Sequence, residues 1–73
     1  MAHKITDHAV IRYCQRVLGK RTWTVDDYFL ARECLMADLK RSVYLKQQGR
    51  KTFRQFENAT FVIQKNRVIT VEI

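Results

Sequence analysis

The chain has 73 residues, 47% of them hydrophobic and eight of them aromatic, and it carries a formal net charge of +7 at pH 7. This length predicts a single domain, residues 1–73, with no room for a second domain around a large cofactor cleft. The composition excludes a disordered tail, two cysteines cannot form a secreted disulfide scaffold, and no apolar run approaches the roughly 20 residues that span a bilayer. We therefore expect a small folded cytoplasmic domain that is not bound to a membrane.

The first predicted element is an amphipathic helix from Asp7 to Leu18. Its apolar residues recur at helical spacing on one side, and its polar residues occupy the other side. Thr6 or Asp7 is placed to cap the first free N–H groups, and Gly19 stands where a left-handed residue often ends a helix.

A second helix is predicted from Val25 to about Lys46, after a capping box formed by Thr24 and Asp27. The pattern leaves open an earlier end near Arg41. Apolar residues lie on two sides of this helix, and the core of so short a chain is small. A homodimer is one arrangement that would cover the second side.

After a polar loop at residues 47–51 the hydrophobic period changes to two, which is typical of strands. Three strands are predicted, at Lys51–Glu57, Thr60–Gln64 and Val68–Ile73. The predicted order is α-α-β-β-β. This is an α+β domain in which two N-terminal helices pack on one face of a small antiparallel sheet.

The turn between the last two strands decides which of their side chains share a face. A two-residue turn would separate the apolar residues of the two strands. A three-residue turn of Lys65, Asn66 and Arg67, with Asn66 at positive φ, would bring them together, and we expect this second arrangement. The residues placed on the shared face are Phe61, Ile63, Ile69, Val71 and Ile73.

Basic side chains concentrate in two zones of the sequence. Residues 1–25 carry five Lys and Arg against one acid, residues 39–56 carry six and no acid, and residues 26–38 between them are acidic overall. Because basic patches attract polyanions, we expect RNA or another polyanion as the partner. The candidate nucleic-acid-binding residues are Lys20, Arg21, Arg50, Lys51 and Arg54.

Aromatic residues are interleaved with the cations of the second zone. Phe53 and Phe56 could stack bases while Arg50, Lys51 and Arg54 contact phosphates. The alternative is that the rings belong to the core and the cations are simply solvated. The sequence leaves open whether the two basic zones meet in the fold.

His8, Arg12 and Arg16 have the spacing i, i+4, i+8, which places them along one helix face. A histidine can move a proton near neutral pH, and two guanidinium groups can hold a phosphate. Cleavage of RNA by its own 2′-hydroxyl needs little more, so these three are the candidate catalytic residues. The alternative is the solvated side of an amphipathic helix. His3, His8 and the cysteines lack metal-ligand spacing, and we expect neither a metal nor another cofactor.

The segment Ile5–Val17 contains the pattern H-A-x-x-R-x-x-x-R. It resembles the opening of a family of small prokaryotic and phage proteins related to the BrnT and RelE/ParE toxins, and residues 61–71 resemble the hairpin that closes that family. The resemblance does not extend over residues 20–50. It implies a RelE-like, microbial-ribonuclease fold acting on RNA, with His8, Arg12 and Arg16 matching the motif.

Two hypotheses follow from these observations. One is a toxin-like, RNA-directed protein, for which metal-independent endoribonuclease activity remains open. The other is a non-enzymatic inhibitor or regulator, encoded by a phage or mobile element, that binds an acidic surface of a host protein or nucleic acid. A protein partner would then be an antitoxin or a host factor.

Overall fold

The computed structural model describes residues 4–73, which form a layer of two helices on one face of a five-stranded sheet. The strand order is β1-β5-β4-β3-β2; β1 is parallel to β5, and the other neighbours are antiparallel. The α+β class is therefore confirmed, but the sheet is mixed and two of its strands, β1 and β2, were not predicted. The elements are β1 (Lys4–Ile5), α1 (Asp7–Arg16), α2 (Val25–Arg41), β2 (Val43–Gln48), β3 (Lys51–Phe56), β4 (Ala59–Gln64) and β5 (Arg67–Glu72).

Thr6 is the residue that starts α1 and also fixes the helix to the sheet. Its hydroxyl oxygen accepts a hydrogen bond from the Ala9 N–H at 3.2 Å, as predicted for a cap, and the same hydroxyl donates to the Val68 carbonyl at 2.9 Å. The helix ends at Arg16, two residues earlier than predicted. Gly19 has φ +68°, and this left-handed conformation reverses the chain toward α2.

The capping box at the start of α2 is confirmed. The Thr24 hydroxyl accepts from the Asp27 N–H at 3.2 Å, and the Asp27 carboxylate accepts from the Thr24 N–H at 3.0 Å. Lys20 Nζ forms an ion pair with Asp27 at 3.1 Å. The hydrogen bond from the Thr24 backbone and the one from Lys20 hold the pKa of Asp27 below its ordinary value.

The helix α2 ends at Arg41, so the predicted extension to Lys46 is wrong and the earlier end near Arg41, which the pattern left open, is confirmed. Ser42 has extended φ and ψ angles, and its hydroxyl donates to the Leu39 carbonyl at 2.5 Å. Arg54 of β3 donates to the Ser42 hydroxyl at 2.9 Å and to the Ser42 carbonyl at 2.7 Å. This long-range contact stabilises the break and directs the following residues into β2.

The predicted three-residue hairpin turn is also wrong, although Asn66 does have positive φ. Gln64 pairs with Arg67 across a two-residue turn in which Lys65 and Asn66 have φ +54° and +62°, the signs expected of a type I′ turn. A bulge at Ile69 then shifts the register by one residue.

This register selects a different set of core residues from β5. Phe61 and Ile63 of β4 are buried together with Val68 and Val71 of β5. The predicted shared face is therefore corrected: Ile69 is half-buried, and Ile73 is 69% exposed.

The core lies between the helices and the sheet, and two tyrosines connect the helices across it. The Tyr13 hydroxyl of α1 donates to the Asp38 carboxylate of α2 at 2.5 Å, and the Tyr28 hydroxyl of α2 donates to Asp7 of α1. Trp23 packs against the edge of this core. No helix within residues 4–73 is both long and apolar enough to cross a membrane.

Candidate nucleic-acid interface

The structure brings two of the three candidate catalytic residues into contact. His8 is exposed on the first turn of α1, and Arg12 Nε lies 3.5 Å from His8 Nε2. Arg12 also donates to the Gln15 side chain at 3.0 Å, so its guanidinium is held along the outer face of the helix. The imidazole and this guanidinium are both accessible to a phosphate.

Arg16 does not complete this cluster. Its guanidinium donates to the Val71 carbonyl at 2.8 Å, which ties the end of α1 to strand β5. The third position of the predicted motif therefore has a structural contact, although Arg16 also keeps an exposed surface.

The second basic zone is divided between the two faces of the sheet. Arg54 and Phe56 lie on the face that carries the helices: Arg54 bonds to Ser42, and Phe56 packs against the core. Lys51 and Phe53 alternate with them and point to the opposite face. Arg50 is exposed in the turn that joins β2 to β3.

We call that opposite side of the sheet the open face, because both helices pack on the other side. One row crosses four strands through the register partners Lys46, Phe53, Val62 and Thr70. Lys46 Nζ lies 5.0 Å from the centre of the Phe53 ring, a cation–π contact. The charged side chains that alternation and register place on the open face are Lys4, Lys46, Lys51, Arg67 and Glu72.

The two basic zones meet only on the open face, where Lys4 of the first zone lies on the same side of the sheet as Lys46 and Lys51 of the second. The cations of α1 are separated from those of β2 and β3, because α1 packs on β5 and β4 lies between β5 and β3. Lys20 is paired with Asp27, and Arg21 is exposed in the connector between the helices. The Lys20–Arg21 connector and the Arg50–Lys51 hairpin therefore belong to separate parts of the surface.

Most of the positive charge has no carboxylate partner. Among residues 4–73, the only ion pair with nitrogen and oxygen within 4.0 Å joins Lys20 to Asp27. Two further acids, Asp7 and Asp38, accept hydrogen bonds from tyrosine hydroxyls between the helices. Three of the seven acidic side chains are thus used for capping and helix packing, and Lys20 is the one cation within residues 4–73 that has an acidic side chain within 4.0 Å.

The two cysteines and the acidic side chains of the described residues form no second reactive site beside the His8–Arg12 contact. Burial, with a smaller effect of Asp27, raises the pKa of the Cys14 thiol, which favours the unreactive protonated form. Cys34 is half-buried and unbonded to a second sulfur. Within the described part of the chain no three His, Cys, Asp or Glu side chains are grouped as metal ligands; His3 lies outside that part.

The open face was missed because the second zone was interpreted as a single cluster. Phe53 and Phe56 are three residues apart, an odd spacing that places them on opposite faces of a strand. That spacing is visible in the sequence. The contribution of Lys4 and Arg67 to the open face was not visible in the sequence, because it depends on the parallel pairing of β1 with β5.

Comparison with known proteins gives no matching family model, no matching curated protein and no matching solved structure.

Proposed function

We propose that this protein binds single-stranded RNA on the open face of the sheet. The observation that carries the proposal is the row centred on Phe53, where an aromatic ring and an unpaired lysine lie side by side on a surface that no helix covers. Aromatic side chains stack on bases of any sequence, and lysines contact the phosphates between them.

The open face offers both kinds of contact at suitable positions. A base that stacks on Phe53 would displace the Lys46 ammonium from the ring, and the ammonium would then be available to the adjacent phosphate. Lys51, Lys4 and Arg67 extend the positive charge toward one end of the strands, against Glu72 at the other end. Thr60 and Gln55 lie in the same row as Glu72 and can hydrogen-bond to base edges.

The aromatic contribution is tested by binding of a labelled oligouridylate of about 12 nucleotides, a length within the range of small single-strand sites. Phe53→Ala and the milder Phe53→Leu should weaken binding roughly tenfold or more, as expected when one stacked base is removed. Phe29→Ala is the control, because Phe29 is also aromatic but lies on α2, where it is 58% exposed, whereas Phe53 is half-buried. Equal effects of the Phe53 and Phe29 variants, or no binding by the wild type, would contradict the proposal.

The electrostatic contribution is tested by the salt dependence of the same binding. Replacing Lys46 and Lys51 with Gln should reduce the slope of log K against log salt by about 1 for each lysine that neutralises a phosphate. Arg32→Gln removes one positive charge from the exposed surface of α2, as each single lysine variant does from the open face, and it should leave the slope nearly unchanged. An equal change for Arg32 would indicate diffuse attraction without a site.

A second candidate function, cleavage of the bound RNA, rests on the contact between His8 and Arg12. His8 follows Lys4 of the open face by four residues, at the β1 edge of the sheet. An RNA strand leaving the open face at that edge would meet an imidazole able to move a proton and a guanidinium able to hold the phosphate. The resemblance to RelE-like toxins supports this candidate, and Arg16 is the third residue of its motif.

Cleavage is tested with total RNA in the presence of a chelator. We expect fragments with the wild type, none with His8→Ala, and normal cleavage with Glu33→Ala, which changes an exposed side chain of the other helix, α2. Thermal unfolding should be nearly unchanged in both variants, since His8 is exposed. Cleavage that persists without His8 would eliminate this mechanism and leave RNA binding untouched.

A further inference from the structure

The two edges of the sheet differ in how their backbone groups are used. At one edge β1 pairs with the start of β5, Thr6 bonds to the Val68 carbonyl, and Arg16 bonds to the Val71 carbonyl. At the other edge β2 pairs with β3 alone. No described residue forms a hydrogen bond to the outward backbone groups of residues 43–48.

Strand β2 is exposed along its whole length. All six of its residues are exposed, and three consecutive apolar side chains, Val43, Tyr44 and Leu45, expose 64%, 58% and 47% of their surface. Proteins ordinarily protect an edge with very short strands, proline, outward charge or a β-bulge. β2 has one of these features, a bulge at Leu45. β2 is as long as its neighbour and has no proline, and its one lysine is turned toward the Phe53 ring.

We propose that β2 is a docking site for an extended acidic segment of a partner protein, which adds to the sheet as a sixth strand. Such a segment supplies alternating N–H and C=O groups for the edge, and its apolar side chains would cover Tyr44 and Leu45. This site shares Lys46 with the RNA-binding proposal, but it uses the backbone edge of β2 and the side chains of Tyr44 and Leu45, which that proposal does not use.

Charge decides the chemistry of this partner. Residues 39–56, which comprise β2, β3 and the end of α2, contain six basic residues and no acid. A second copy of the chain would bring its own Lys46 and Arg50 against this zone, and each copy has a net charge of +7. RNA has the right charge but offers no alternating amide ladder. An acidic polypeptide has both properties.

The length of β2 sets the expected size of the contact, and a bulge at Leu45 interrupts its pairing with β3. Tyr44 pairs with Arg54 and Lys46 with Phe53, so Leu45 is the extra residue and the edge is divided into two short segments. We expect a partner strand of about six residues, the length of β2, held by side-chain contacts as well as by the ladder.

The test uses a labelled peptide of alternating glutamate and valine and, as its control, the same peptide methylated on alternate backbone nitrogens. The full protein should bind the first peptide about tenfold or more tightly than the second, since methylation removes the ladder donors. Amide chemical-shift changes should be confined to residues 43–48 and their β3 partners. Equal affinity for the two peptides, shifts elsewhere, or no binding would overturn the proposal.

Two variants separate this site from the RNA site. Replacing Tyr44 and Leu45 with Ser should abolish peptide binding and leave oligouridylate binding unchanged, whereas Phe53→Ala should do the reverse. Both positions in the first variant are exposed, and a thermal scan checks that the variant is folded. Failure of the Tyr44 and Leu45 variant to bind RNA, or dimerisation of the wild type through β2, would also overturn the assignment of the edge to an acidic partner.

Discussion

At the scale of single residues, acidic side chains stabilise the packing of the two helices through tyrosine hydroxyls. Tyr13 is only 3% exposed, and its hydroxyl donates to Asp38. Burial first, and the hydrogen bond to Asp38 second, raise the pKa of Tyr13 well above its ordinary value. The protonated phenol is therefore a component of the folded structure.

Tyr13→Phe should lower the free energy of unfolding by about 1–2 kcal/mol, because it removes one hydrogen bond to a carboxylate and retains the ring. The raised pKa of Tyr13 fixes the sign of the pH dependence of stability. The free energy that the Tyr13 hydroxyl contributes is fully present below the ordinary tyrosine pKa of about 10. It disappears as the pH rises through the higher pKa of the folded state. Chemical denaturation of both proteins at neutral and strongly alkaline pH measures this. A difference that grows with pH would contradict the assignment.

At the scale of elements, short turns with positive φ determine how the strands pair. Lys65 and Asn66 both have positive φ in the β4–β5 hairpin, and Gly49 has φ +61° between β2 and β3. Lysine is unsuited to this region of φ and ψ, whereas glycine adopts it without strain. The β4–β5 turn is thus tighter than its sequence favours, and the bulge at Ile69 restores the alignment of the core residues.

Replacing Lys65-Asn66 with Asn-Gly should raise the free energy of unfolding by about 1 kcal/mol, because that pair suits a type I′ turn. For a domain of this size the midpoint would rise by about 4–8 °C in a thermal melt. Gly49→Ala is the opposite control: its added Cβ meets no atom within 4 Å, so the expected decrease in stability comes from backbone strain alone. An unchanged midpoint in the Asn-Gly variant would argue against the two-residue turn.

At the scale of the whole molecule, the excess of positive charge is distributed over the surface and is scarcely neutralised within the fold. The net charge is +7, and the single ion pair within residues 4–73 joins Lys20 of the connector to Asp27 in the first turn of α2. Self-repulsion of this kind destabilises a compact state and at the same time attracts polyanions. The same property therefore affects both stability and the proposed binding.

The thermal midpoint of the free protein should rise as sodium chloride increases from about 10 mM to about 150 mM, over which the Debye length falls from about 30 Å to about 8 Å. Salt screens the repulsion among many cations, which stabilises the fold, and it screens the attraction within only one ion pair. The net effect of salt on the free protein is therefore stabilising. RNA affinity should fall over the same range, so the two measurements move in opposite directions. A midpoint that falls with salt would indicate that attractive pairs dominate.

Local signals in the sequence determined much of the fold. The Thr6 cap, the Thr24–Asp27 capping box and the left-handed Gly19 all lie within a few residues of the helix ends that they define. Helical and alternating periodicity likewise located α1, β3, β4 and β5, because apolar spacing reflects the face that each element buries.

Only the tertiary structure decided the features that depend on distant partners. Residues 43–46 continue the helical pattern of α2, and they form β2 because Arg54 holds Ser42 and β3 supplies the ladder. The two residues of β1 become a strand only by pairing with β5. Alternation in β3 then separated Phe53 from Phe56 and created an open face distinct from the helix motif. The positive charge could be counted from the sequence, but its division among α1, the open face and the β2 edge follows from strand pairing over long chain separations.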